Sequence, residues 1–170
     1  SSKSYLNLKP EDIKPNISFD ILKKFSDGII LFIGGSKSFF SDLLTQNKDE
    51  FCYKEILKLK SIFDKNIYVE IQRHNEPHEF QLEKKLLKIS SNLEIPLIAT
   101  NEVFYLNRDQ FAAHDAYICV GEKSYVNEKD RLKYSDQHYF MESHELTNLF
   151  KDLPDAIENN QNFKYRFSYF

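Results

Sequence analysis

The 170-residue chain is about one domain long on a prior of roughly 150 residues each, so it cannot hold a complete multi-domain machine. Apolar residues at 41%, with 15 Phe and 10 Tyr, supply enough volume for a real interior and argue against wholesale disorder. The 23 Lys and Arg against 26 Asp and Glu leave a net charge of −3, the wrong sign for gripping phosphate backbones over a broad face.

The first clear element is GIILFI, residues 28–33, a continuous apolar run that predicts a strand buried on both faces. Gly34 and Gly35 end it, and a Ser-rich helix follows. In FCYKEILKLKSIF, Cys52, Ile56, Leu59 and Phe63 recur at helical spacing while Lys54, Lys58 and Lys60 fall elsewhere, so a helix covers this strand. IYVEIQ, residues 67–72, alternates Ile67, Val69 and Ile71 with Tyr68, Glu70 and Gln72 and predicts a second strand with one polar edge. Pro77 is expected in the first turn of a second helix with the stripe Leu82, Leu86, Ile89 and Leu93. IPLIAT, residues 95–100, supplies a third strand.

The β-α-β-α-β rhythm implies parallel strands, in a barrel or in a doubly wound sheet. After Thr100 no strand rhythm resumes. RDQFAAHDAYICVG predicts a helix ending at Gly121, and residues 122–137 a polar surface arm. Ser143 is a plausible N-cap for HELTNLF, and Pro154 starts a last helix.

Cys52 and Cys119 lie far apart with no CxxC or Cys/His cluster, so neither a zinc knuckle nor a disulfide scaffold is encoded and a reducing cytoplasm is expected. The run from Gly28 to Gly35 is far short of the roughly 20 residues of a membrane helix. SSKSYLNLKPED has no signal-peptide core. The start without Met and the aromatic end, KYRFSYF, read as cuts in a longer protein.

In parallel α/β units, reactive groups belong at the C-terminal ends of the strands. Three ends present Gly34-Gly35-Ser36, Gln72-Arg73-His74 and Thr100-Asn101-Glu102. A metal or phosphate site there would use His74 and Glu102 as ligands or general bases. The stronger reading of His74 is a hydrogen-bonded loop anchor. Gly34-Gly35 reads as a tight βα turn, since neither GxxxxGK[ST] nor GxGxxG is present. His114-Asp115 suggests a base and its orienter, but adjacent helical residues face different ways, so surface or packing roles are expected. His78, His138 and His144 are expected in solvent. No Ser or Cys sits in a nucleophile elbow.

Taken together, GIILFIGG, YVEIQRHNEP, the block from IPLIATNEVFYL through AHDAYICVGE, and YSDQHYFMESHELTNLFKDLPDAIENN resemble the second half of the polymerase-and-histidinol-phosphatase (PHP) domain of bacterial DNA polymerase III alpha subunits, C-family replicative polymerases. The likeness runs over nearly all of residues 28–167. It implies an α/β fold forming part of a distorted (β/α)7 PHP barrel followed by connecting helices. Residues 1–121 would be the C-terminal half of the barrel, and 122–170 the arm and helices leading into the polymerase core. Metal-binding members carry Cys where this chain has Gly35, and Asp-x-His where it has Glu102-Val103-Phe104. Neither Gly nor Phe can ligate a metal.

The resemblance therefore implies no catalytic, cofactor-binding or metal residue in this chain, and a structural and docking role within a DNA-directed DNA polymerase, a nucleotidyltransferase of DNA replication. Mg2+ belongs to the parent polymerase core. The implied partners are that core and a 3′–5′ proofreading exonuclease subunit, with DNA reached only through the parent chain and no membrane. The charge and Tyr content of the arm at 122–137 and of the loop after His74 makes them the candidate docking surfaces, the alternative being that they are simply solvated. Two rivals stand beside this reading: an active metal-dependent PHP phosphoesterase, and a free-standing α/β interaction module. A barrel half should also leave the first strand with an open apolar edge that favours self-association.

Overall fold

The computed structural model describes residues 17–167. The readings of SSKSYLNLKPED and of the last three residues lie outside them. Among the described residues there are seven α-helices and three strands: α1 Phe19–Lys24, β1 Leu31–Gly34, α2 Phe39–Thr45, α3 Asp49–Phe63, β2 Ile67–Gln72, α4 Glu79–Leu93, β3 Leu97–Thr100, α5 Phe111–Glu122, α6 Ser143–Leu149 and α7 Pro154–Phe163. Short 3-10 turns at Arg108–Gln110 and Lys164–Arg166 complete the order.

The strands form a parallel sheet in the order β1-β2-β3, with Ile33 opposite Val69 and Ile71 opposite Ala99. One face of this sheet carries the core. Ile33, Val69, Ile71 and Ala99 pack there against Cys52, Ile56 and Phe63 of α3, Leu82, Leu86 and Ile89 of α4, and Phe150 and Ala156 near the C-terminus. Cys52 is fully buried, and burial pushes its thiol up to about 11, so it behaves as a small apolar side chain. Both cysteines are free.

The other face alternates Phe32, Tyr68, Glu70, Gln72, Ile98 and Thr100, with aromatics at the strand starts and polar groups at the strand ends. Phe163 packs edge-on against Tyr68 and tilted against Phe32, while Arg166 bonds the Tyr68 hydroxyl and the Lys65 carbonyl at the strand starts. The outer edge of β3 is closed by side chains. Asn160 both donates to and accepts from the Ala99 backbone, at 2.7 and 3.2 Å, and Asn159 donates to the Leu97 carbonyl at 2.8 Å.

Several expectations need correction. β1 begins at Leu31, and it is not buried on both faces, because it is an edge strand and Phe32 is 36% exposed. Residues Gly28–Ile30 run in as an irregular lead, Gly28 adopting φ +71°. Pro77 lies in a turn two residues ahead of α4, which starts at Glu79. Gly121 falls inside α5, and Lys123 makes the left-handed C-cap. α6 is capped by Glu142 in a reciprocal box with Glu145, which leaves Ser143 as the first helical residue. α1 was not foreseen, although Ser18 caps it. Among the described residues the sheet has three parallel strands, with the helices of a mixed α/β fold around it. None of its helices is long and apolar enough to cross a membrane among those residues.

Candidate functional site at the strand ends

The chain approaches most closely where β1 ends. A Cβ at Gly34 would lie 2.2 Å from the Glu70 carbonyl oxygen, and at Gly35, where φ is +72°, 2.9 Å from the Glu70 carboxylate. At Gly34 only glycine fits without displacing the β2 backbone, and at Gly35 the left-handed φ favours glycine. Next to them, Ser36 donates its backbone N–H to Gln72 Oε1 at 3.2 Å, Gln72 Nε2 donates to Thr100 Oγ1 at 3.2 Å, and Thr100 donates its hydroxyl to Glu70 Oε1 at 2.6 Å. The three strand ends do converge, as the sequence suggested. Their polar atoms are spent on one another, and the cavity bordered by Gly35, Ser36, Glu70 and Gln72 is about 10 Å³, room for one water.

His74 is fully buried and anchors the loop after β2. The Glu102 backbone N–H donates to its Nε2 at 3.0 Å, so the ring proton sits on Nδ1 and is donated to Glu79 at 2.8 Å. Glu79 also accepts the backbone N–H groups of His74 and Glu76, at 2.7 and 3.0 Å. Burial by itself would raise the Glu79 carboxyl, but these donors outweigh it and hold the group below the usual carboxylate range. With both ring nitrogens engaged, His74 has no lone pair for a metal, and the loop-anchor reading holds.

His138 overturns the expectation of a solvated residue. It is 2% exposed and stacks face to face on His74, with centroids 4.0 Å apart. Phe104 stacks on its other side at 4.7 Å, and His114 of α5 stacks on Phe104 at 5.2 Å. Four rings from four separate segments thus make one column. His138 Nδ1 donates to the Glu102 carbonyl at 3.0 Å, whereas its Nε2 is buried without a partner, 3.7 Å from Glu76 Oε1. Burial lowers its pKa first, and the adjoining His74 ring lowers it further, against the opposing pull of Glu102 and Glu76. Sequence spacing gave no sign of the column, because its members are remote along the chain; the pairing of Tyr105 with Tyr139 brings them together.

Lys37, which the sequence did not single out, closes the site's mouth. Its ammonium donates to the Tyr134 hydroxyl at 3.0 Å and Glu102 Oε1 at 3.4 Å and lies over the rings of Tyr134 and Phe104. Burial tends to lower the Lys37 pKa, but Tyr134 and Glu102 together raise it. A half-exposed cation therefore already lies beside the one carboxylate considered as a ligand. Glu102 Oε2 is left buried without a hydrogen-bond partner. Among the described residues no three His, Cys, Asp or Glu side chains form a group able to hold a metal ion.

The remaining candidates are structural. Arg73 pairs with Glu83 at 2.6 Å and Asp152 at 2.7 Å, donates to the Leu149 carbonyl at 2.7 Å and lies over the Phe150 ring, tying the C-terminal helices to β2. Its pKa is raised, chiefly by Asp152 and Glu83. Asp115 is buried and takes a two-pronged bond from Arg131 at 2.6 and 2.7 Å, which lowers its pKa despite burial and pins the arm to α5. Asn101 donates to the Tyr139 carbonyl at 2.7 Å. Ser135 bonds the His74 carbonyl and, through its N–H, Glu76 at 2.7 Å, so the second half of the arm is fastened twice, at Arg131 and at Ser135. His78 and His144 are exposed, as expected.

The chain is similar to proteins named DNA polymerase III subunit alpha. It is 35% identical over 151 residues to that of Rickettsia bellii, 33% over 147 residues to that of Borreliella burgdorferi, and 30% over 159 residues to that of Caulobacter vibrioides. These alignments cover 89%, 86% and 94% of the chain but 13%, 13% and 14% of the relatives, so it spans only a small part of their length. No family model matches.

Proposed function

We propose that this chain is a segment of a bacterial replicative DNA polymerase: the second half of a PHP barrel whose strand ends hold no divalent metal, followed by helices that lead into the polymerase core. Similarity to DNA polymerase III alpha subunits along 86–94% of the chain supports the placement. The two unlike faces of the sheet support the barrel half. Helices cover one face, while the other turns Glu70, Gln72 and Thr100 toward what would be the barrel interior. Residues 1–121 are then the barrel half and 122–170 the arm and connecting helices.

The observation that carries the metal-free reading is the closed set of partners at the strand ends. Both His74 nitrogens are engaged, Glu70 is bonded to Thr100, Lys37 sits on Glu102, and neither Gly35 nor Phe104 has a donor atom to offer. Residues with these partners do not fit a metal cluster, and no hydrolytic step is routed through one. The segment's role is to brace the parent core and to dock a 3′–5′ exonuclease subunit through the arm and the loop after His74. Mg2+ and contact with DNA belong to the core of the parent chain, which acts in the cytoplasm as a DNA-directed DNA polymerase.

Elemental analysis of the purified parent polypeptide, with primer-extension and phosphate-ester assays on the same sample, tests this reading. Template-directed extension with no zinc, manganese or iron retained, and no ester hydrolysis, is the expected result. A tightly held metal released by Glu102→Ala would overturn the metal-free assignment. Absence of extension would overturn the placement in a polymerase.

A further inference from the structure

Helix α5 is inside out for a helix that faces water. Within Phe111–Gly121 the only carboxylate is Asp115, and it is buried against Arg131, as is Cys119 beside it on the same side. The outward stripe at i, i+3, i+4 and i+7 is Ala113, Ala116, Tyr117 and Val120, flanked by Ala112 and Gly121, and every one of these is exposed. Tyr117 is 77% and Val120 76% exposed, and Tyr125, just beyond the helix, 74%. No charged side chain interrupts the stripe. By contrast, the outward faces of α3 and α4 carry Lys54, Lys58, Lys84 and Lys88.

A helix apolar on its outward side over about two turns is built to be covered, and small residues beside a Tyr and a Val admit close approach of another helix. A transiently visiting partner is steered by complementary charge, which this stripe lacks. The shared stretch is 13% of these relatives' length, so most of such a polypeptide lies outside it.

Resting on the polymerase-segment reading above, we infer that the outer face of α5 is the seat of another domain of the same polypeptide, which lays an apolar helix along Ala113, Ala116, Tyr117 and Val120. The contact is a permanent intrachain interface, distinct from the ring column that His114 joins.

The test uses the full-length parent polypeptide carrying Tyr117→Cys or, as control, Lys54→Cys, both at sites exposed in this structure, with the unsubstituted polypeptide as the blank for the buried native cysteines. Rates of maleimide labelling are read under native conditions and in denaturant. The inference expects Tyr117→Cys to label about tenfold or more slowly than Lys54→Cys in the native polypeptide, and equally once unfolded. Equal native rates would overturn it, as would protection that appears only as polypeptide concentration rises, which would assign the face to a second copy. Primer extension by the same samples separates the two readings: an active polymerase with an unprotected position 117 sinks the interface alone, and an inactive parent sinks the placement beneath it.

Discussion

The two faces of the sheet are held by different physics. On the helix-covered face Ile33, Val69, Ile71 and Ala99 interlock with α3, α4 and Phe150, and stability there depends on volume and is indifferent to pH. On the other face and around the strand ends, Glu70, Gln72, Thr100, His74, Glu79 and His138 are joined by directional bonds, and stability depends on which atom carries which proton. The lesson is that most of the polar atoms whose composition invites catalysis at the strand ends are here engaged by other groups of the protein, while Glu102 Oε2 and His138 Nε2 stay buried without a partner.

Deleting volume from the first face should give the largest effect. Phe150 is fully buried, and Phe150→Ala is expected to cost about 3–5 kcal/mol in denaturant melts, with no change in the pH dependence of what remains. If that variant lost its pH dependence, the separation of the faces would break down.

His74→Ala should cost somewhat less, about 2–4 kcal/mol, because it strips Glu79 of its ring donor and leaves the Glu102 N–H without an acceptor. Chemical denaturation measures this. A loss within error would mean that the anchor contributes nothing to the loop.

A smaller effect is expected from acidification. The folded-state pKa of His138 lies below its ordinary 6.5, so the unfolded chain takes up the proton first as pH falls. Its contribution to stability is complete above about pH 6.5 and is lost from there down toward the folded-state value. Glu79, lowered in the fold, contributes a second loss that begins only below about its ordinary 4.5. His138→Phe keeps the stacking on His74 and Phe104 but cannot titrate, so it should flatten the first step and leave the second. Melting curves between these pH values decide the matter, and an unchanged first step would place the titrating group elsewhere.

The smallest effect belongs outside both faces. Val120→Ser, on the exposed stripe of α5, should shift the stability of this chain by no more than about 0.5 kcal/mol. A larger loss in equilibrium melts would show that this side chain is already packed.

Much of the scaffold was legible along the chain. The alternation in residues 67–72 fixed β2 to the residue, and the stripes Cys52-Ile56-Leu59-Phe63 and Leu82-Leu86-Ile89 located α3 and α4, because burial of one face imposes a local period. Pro154 marked the first residue of α7, since its missing N–H costs nothing there. The end of β1 and its glycines were likewise readable, though its exposed Phe32 was not, because a continuous apolar run does not say whether a strand lies at the edge or the centre. Beyond that, the tertiary structure decided. His138 read as solvated from its polar neighbours, and only the pairing of residues 104–105 with 138–140 stacks it between His74 and Phe104. Likewise nothing in the sequence joined Lys37 to Tyr134 or Arg131 to Asp115. Local periodicity is written by the next few residues, whereas the partner of a polar atom is set by segments tens of residues away, and only the folded chain brings those within hydrogen-bonding distance.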